Sequence, residues 1–234
     1  MLIDILPGEQ HLLLIYCSFT CIYLPGILLL LKFTNSLYDV GTYKFIPILF
    51  ALIFAELVKV WFSLLQTNEV TLKKTETRAN PKSKKLCTKT LKTGFKFLVS
   101  TSLLSAIYYV VIVLFGAPIL SHHEETIMLT LTLTTLTFVP ACLHLGIDTA
   151  LALLFGMQVG NGNLFAEAVK TNVKFTLLGT WLGAIAIPLD WDRPWQAWPV
   201  PCVTSALFGY ILAHVVTLIS MLPIMKQDKS KSHR

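Results

Sequence analysis

Phe97 to Ile119 reads FLVSTSLLSAIYYVVIVLFGAPI, 23 residues without a Lys, Arg, Asp or Glu. About 20 consecutive apolar residues carry a helix across the hydrocarbon of a bilayer, so this run reads as a membrane span. Val200 to Pro223 is free of the same four residue types. The whole chain agrees with these two runs. Of its 234 residues 54% are hydrophobic and 14% charged, with a mean hydropathy of +0.66. A soluble domain carries roughly a quarter charged residues. The chain is therefore an all-α polytopic membrane protein.

Outward from the two clear runs, six spans are predicted, at 12–31, 45–65, 97–119, 126–146, 173–189 and 200–223. The first follows Asp4 and Glu9 rather than a basic segment, and lacks a small-residue cleavage site, so it is expected to remain in the protein. The fourth should kink at Pro140. Its apolar pattern runs past His144 and Asp148 to Phe155, which predicts a surface helix ending at Gly160-Asn161-Gly162. The fifth is short. No internal repeat is visible, which argues against an inverted-repeat transporter.

The net charge of +6 is uneven: nine of the 19 basic residues lie between Lys73 and Lys96. That segment holds no aromatic before Phe95 and sits between two spans, so it is read as an orienting, lipid-touching loop without regular structure, not a nucleic-acid surface. Placing 66–96 in the cytosol puts Lys170, Lys174 and the basic tail there too, and both termini with them. The division is then 1–65, two helices; 66–96, a basic cytosolic loop; 97–223, a four-helix region; and 224–234, a basic cytosolic tail. The loops at 32–44, 120–125 and 187–199 fall on the far side, with Lys32, Lys44 and Arg193 as their only basic residues.

The last of these loops, IPLDWDRPWQAWP (Ile187–Pro199), holds three of the five tryptophans. Pro188, Pro194 and Pro199 forbid a regular helix through it, and tryptophan favours the boundary between hydrocarbon and water. Asp190, Trp191, Asp192, Arg193, Pro194 and Trp195 are the candidate partner- or lipid-binding residues. A hairpin that only joins two helices is the plain alternative. Asp190 and Asp192 could bind a cation, but Arg193 offsets their charge, so an ion pair or a partner contact fits better.

Elsewhere, Glu56 and Lys59 share a face inside the second span and are expected to pair, with a proton relay or small transporter as the functional alternative. His144 and Asp148, one turn apart, are expected to hydrogen-bond locally. Ser121-His122-His123-Glu124-Glu125 resembles a metal-ligand run but reads as a solvated face, and the five cysteines read as packing residues. Thr130 to Thr137 suit a packed helix, and Gly179 and Gly183 form a close-packing GxxxG. No metal site, cofactor site, nucleophile elbow or P-loop is expected. The DGxxAR…GxxxD pattern of the CDP-alcohol phosphotransferases is absent from the sequence.

The run WLGAIAIPLDWDRPWQAWP (Trp181–Pro199) resembles the signature of the phosphatidylinositol-glycan class F family, PIG-F. Phe115-Gly116-Ala117-Pro118, Glu125-Thr126, the threonines leading to Val139-Pro140, and Phe208-Gly209-Tyr210 extend the resemblance over 97–223. Residues 1–96 match it only in hydropathy and in carrying a basic loop. The resemblance implies residence in the endoplasmic reticulum, no catalysis by this chain, and two large catalytic partners, PIG-O and PIG-G. These add ethanolamine phosphate from phosphatidylethanolamine to mannoses of the glycosylphosphatidylinositol (GPI) anchor precursor on the lumenal side. The rival reading is a lipid-handling phosphotransferase using Asp190, Asp192 and Arg193.

Overall fold

The computed structural model describes residues 7–72, 83–118, 121–157, 163–189, 191 and 193–232, with side chains described from 10 to 65 and from 92 to 221 within those bounds. Seven α-helices follow in order: α1 (Pro7–Phe33), α2 (Ile46–Leu72), α3 (Ser83–Leu114), α4 (His123–Leu145), α5 (Ile147–Leu154), α6 (Leu164–Ala184) and α7 (Val200–Ser232). No strand occurs among the described residues. Within a bilayer only a helix satisfies its own backbone, so apolar runs of this length leave the chain no other solution. Five of the helices (α1, α2, α3, α4 and α7) are long and apolar enough to cross a membrane.

The fifth expected span is α6, and it differs from its prediction. It begins at Leu164, nine residues ahead of the expected start, where the Asn163 side chain caps it by accepting from the Ala166 N–H at 3.2 Å. The charges Glu167, Lys170 and Lys174 hid this beginning. They occupy the outer face, with Glu167 and Lys170 paired at 3.9 Å, while Ala166, Val169, Asn172, Val173 and Thr176 turn inward. Its 21 residues span about 31 Å at 1.5 Å per residue, enough to cross a layer ~30 Å thick. Helix α6 ends at Ala184, ahead of the predicted 189, in a turn leading to Pro188.

The polar segment between α2 and α3 also departs from expectation. Helix α2 continues to Leu72 and α3 starts at Ser83, so a segment read as lacking regular structure is helical at both ends. Lys, Thr, Leu and Gln tolerate the helix once apolar turns have nucleated it.

Helix α4 is the axis of the bundle and packs against α2, α3, α5, α6 and α7. Its threonines explain how a polar helix can be central. Thr130, Thr132, Thr134 and Thr137 are buried, and each donates its hydroxyl to the carbonyl four residues before it. Two also reach α3, Thr134 to Ser105 at 3.1 Å and Thr137 to Tyr108 at 3.0 Å. Asn172 of α6 donates to the Leu136 carbonyl at 3.3 Å. Pro140 lies inside α4 without ending it; the break comes at Gly146, whose φ of 84° few other residues adopt. The apolar pattern beyond His144 forms the separate helix α5, ending at Leu154. The expected terminus at 160–162 lies outside the described residues.

Helices α6 and α7 touch backbone to backbone. A Cβ on Gly179 would strike the Ser205 carbonyl, one on Gly183 the Pro201 carbonyl, and one on Gly209 the Phe175 carbonyl. The GxxxG of α6 thus finds its partner inside the chain. By contrast α2 and α3 present Phe50, Phe54, Trp61, Leu98, Leu103 and Leu114 outward, as hydrocarbon requires. Cys17, Cys142 and Cys202 are buried and unbridged, as packing residues.

Candidate functional site

The connector from α6 to α7 is the site predicted from the sequence. Asp190 and Asp192 lie outside the described residues; Trp191, Arg193, Pro194 and Trp195 are placed. Pro194–Gln196 forms a single 3-10 turn, and the Trp198–Pro199 peptide is cis immediately before α7. One side chain holds this backbone. Gln196, 8% exposed, donates through Nε2 to the Ala186 and Leu189 carbonyls at 2.9 and 2.6 Å. Its Oε1 accepts from the Arg193 N–H at 3.0 Å. Sequence reasoning missed Gln196; the only available signal was one uncharged amide amid prolines and tryptophans.

The three tryptophans divide by direction. Trp198 packs against the core and donates Nε1–H to Thr126 Oγ1 of α4 at 3.3 Å. Trp191 and Trp195 face outward, 58% and 36% exposed, edge to face at 5.9 Å. The exposed Arg193 lies between them in sequence. The result is a locked backbone presenting two aromatic rings.

Two neighbouring turns brace the same end of the bundle. Ser36–Gly41 forms a 3-10 turn whose Gly41 abuts the Pro199 ring and Glu125; a Cβ there would clash with the ring. Tyr43 donates its N–H to Glu124 Oε1 at 2.6 Å. In the His122–Glu125 run, His122 bonds Glu125 at 2.9 Å and His123 bonds Tyr109 at 3.2 Å. The run therefore points three ways. Among the described residues no group of three or more His, Cys, Asp or Glu converges as metal ligands would.

Deep in the membrane layer, Glu56 and Lys59 form the expected pair at 2.5 Å, 2% and 6% exposed. From Ile46 to Glu56 is about 15 Å of helix, near the middle of the hydrocarbon. Lys59 also donates to Thr20 of α1 at 2.7 Å and lies 4.2 Å from the centre of the Tyr16 ring. Glu56 Oε1 accepts in addition from Tyr210 of α7 at 2.8 Å and from Tyr23 of α1 at 3.5 Å. One ion pair thus ties α1, α2 and α7 together. His214 donates to the Tyr210 carbonyl at 2.8 Å, and its ring lies 5.4 Å from Tyr16.

The expected bond between His144 and Asp148 does not form. Gly146 ends α4 between them and breaks the one-turn spacing. Asp148 instead meets Lys96 of α3 at 2.5 Å, while His144 turns inward to 4.0 Å from Glu56 Oε2.

The architecture is that of a multi-pass helical membrane protein in which the connector from α6 to α7 displays aromatic side chains at an end of the bundle. Residues 22–218 match the model of the GPI biosynthesis protein family Pig-F, and the chain belongs to that family. The match starts well ahead of the 97–223 stretch that the sequence motifs mark. The chain is 36% identical over 110 residues to the human protein named GPI ethanolamine phosphate transferase, stabilizing subunit, covering 47% of this chain and 50% of that one. Two relatives are named glycosylphosphatidylinositol anchor biosynthesis protein 11. That of Aspergillus fumigatus is 36% identical over 158 residues, 68% of this chain and 50% of its own. That of Debaryomyces hansenii is 30% identical over 190 residues, 80% of this chain and 74% of its own. The chain spans about half the length of the human and Aspergillus relatives it matches. No solved structure matches.

Proposed function

We propose that this chain is the non-catalytic stabilising subunit of a transferase that adds ethanolamine phosphate to mannoses of the GPI anchor precursor. In this reading it resides in the endoplasmic reticulum membrane with both termini cytosolic, and PIG-O and PIG-G are its large catalytic partners. The human relative's name supports the role. The observation that carries it in this chain is the Trp191–Trp195 pair, exposed on a backbone fixed by Gln196. Rigid aromatic anchors lose little freedom on binding, and such residues dominate contact energies. Arg193 beside them sets orientation more than affinity, because water screens it.

Trp191→Ala with Trp195→Ala is expected to leave the chain expressed and inserted, since both rings face outward. Recovery of the large subunit by co-purification should fall. A hot-spot pair is worth about 2 kcal/mol or more, roughly thirty-fold in affinity. Normal recovery with lost transfer would favour the phosphotransferase reading, in which Asp190, Asp192 and Arg193 act on a head group. Normal recovery with normal transfer would make the connector a simple hairpin.

Orientation has its own test. The sequence contains no Asn-x-Ser/Thr acceptor of its own. A glycosylation acceptor in a linker inserted beside the exposed Asn35 should be modified, and one inserted in 73–82 should not. The reverse pattern would overturn the charge argument.

A further inference from the structure

A span beginning at 173 would leave Lys174 at the membrane surface, but α6 begins at Leu164 and carries it to mid-depth. Lys174 lies about 15 Å from Leu164 and about 15 Å from Ala184. Its neighbours fix the same depth. The Phe175 carbonyl stands where a Cβ on Gly209 would project, and Gly209 is about 14 and 18 Å from the two ends of the α7 span Val200–Met221. Asn172 bonds the Leu136 carbonyl, which is about 14 and 20 Å from the two ends of α4. Lys174 is nonetheless exposed, and among the described residues it has no hydrogen-bond or ion-pair partner. Glu167, two turns nearer the helix start, is taken by Lys170.

An ammonium in the middle of hydrocarbon is costly, and membrane spans keep such charges against a partner. Snorkelling does not relieve this one. An extended lysine stem covers about 6 Å, which leaves about 9 Å of apolar layer before the helix start. A lipid phosphate stays outside the hydrocarbon and is equally out of reach. The counter-charge must come from protein, and the surface around Lys174 says of what kind. Lys174, Leu178, Trp181 and Ile185 follow at spacings of four, three and four, all exposed, as one stripe on α6. Within the chain α6 packs on α7, α4, α1 and α5, and none of these covers the stripe. At its Ala184 end the stripe leads into the connector that displays Trp191 and Trp195. An apolar stripe with one cation at mid-depth complements a second helix with one carboxylate at mid-depth. A second copy of this chain does not supply it. Apart from the buried Glu56, its described acidic side chains Asp39, Glu124, Glu125, Asp148 and Glu167 all lie in the first turn of a helix or 3-10 turn.

We infer that the Lys174–Leu178–Trp181 stripe of α6 docks a membrane-spanning helix of the large catalytic subunit, one whose Asp or Glu pairs with Lys174. The inference rests on the stabilising-subunit reading and adds to it a contact inside the membrane. The test co-expresses the full-length chain with a tagged large subunit. A benzoylphenylalanine probe at Leu178 should photocrosslink to that subunit, in a span bearing Asp or Glu, and the same probe at the outward-facing Leu103 of α3 should not. Lys174→Met should lower recovery of the large subunit about ten-fold or more, because it strands the partner's carboxylate in hydrocarbon. Lys174→Arg should keep recovery. Lys174→Glu should lose it, and exchanging the acid of the crosslinked span for lysine should restore it. The purified Lys174→Met chain should unfold no earlier than the parent, since the lysine has no described partner within the chain, and this separates docking from folding. Unchanged recovery with Lys174→Met would overturn the inference, with head groups or water then serving the ammonium. So would a lowered unfolding midpoint, or equal crosslinking from Leu103. A probe at Trp195 that captures the large subunit, beside one at Leu178 that does not, would overturn the stripe and leave the connector as the docking site. If nothing captures or co-purifies with the large subunit, the stabilising reading fails and the stripe with it.

Discussion

Glu56→Gln is expected to cost this chain about 3–5 kcal/mol of stability, the usual penalty for stranding one member of a buried ion pair. Glutamine keeps the shape of the side chain, and its carbonyl oxygen can still accept from Tyr210 and Tyr23. What it removes is the charge opposite Lys59, leaving an ammonium near the middle of the membrane with only neutral partners: Thr20, the Tyr16 ring and the amide oxygen. Adding Lys59→Met deletes that ammonium, and the double variant should recover most of the loss. Such non-additivity is the signature of direct coupling. Thermal unfolding of the purified chain in detergent measures all three variants under one condition. A single Glu56→Gln variant as stable as the parent would show that Lys59 is not held by its carboxylate. A stable double variant that fails to restore GPI-anchored surface proteins would give the pair the relay or transport role weighed from the sequence.

The second large effect is one of sign. Gly183→Ala places a methyl group against the Pro201 carbonyl and the backbone of Cys202. Backbone cannot move aside as a flexible side chain can, so α6 and α7 must separate, at a cost of about 2–3 kcal/mol. Gly26→Ala, in α1, meets nothing within 4 Å. There the same substitution should stabilise by up to about 1 kcal/mol, because alanine restricts the unfolded chain and favours helix. Measured side by side, the two variants should shift the unfolding midpoint in opposite directions. Equal shifts would mean that the α6–α7 contact is looser than described.

The membrane spans were legible because hydropathy is a local property and the bilayer imposes a minimum length. Helix α6 was only half legible, since Glu167, Lys170 and Lys174 lower its average hydropathy although they occupy a single face. The Glu56–Lys59 pair could be read from a spacing of three. Its closure by Tyr210, 154 residues away, and the approach of His144 depend on helix packing that no local pattern records. His144 and Asp148 mislead for a related reason. One-turn spacing implies contact only while the helix is unbroken, and Gly146 breaks it. In the connector, composition announced a rigid aromatic segment. It gave no way to sort Trp198, which bonds Thr126, from Trp191 and Trp195, which face outward. Gln196 holds the segment through three hydrogen bonds to backbone, a role glutamine seldom advertises.

The lifetime of the large transferase subunit tests the account most directly. In cells lacking this chain, pulse-chase labelling should find that subunit degraded rapidly. Re-expressing the parent chain should restore its lifetime and the ethanolamine phosphate on anchor precursors, and the Trp191→Ala, Trp195→Ala variant should restore neither. A large subunit that is equally long-lived with and without the chain, together with transfer activity in this chain purified alone, would contradict the stabilising role.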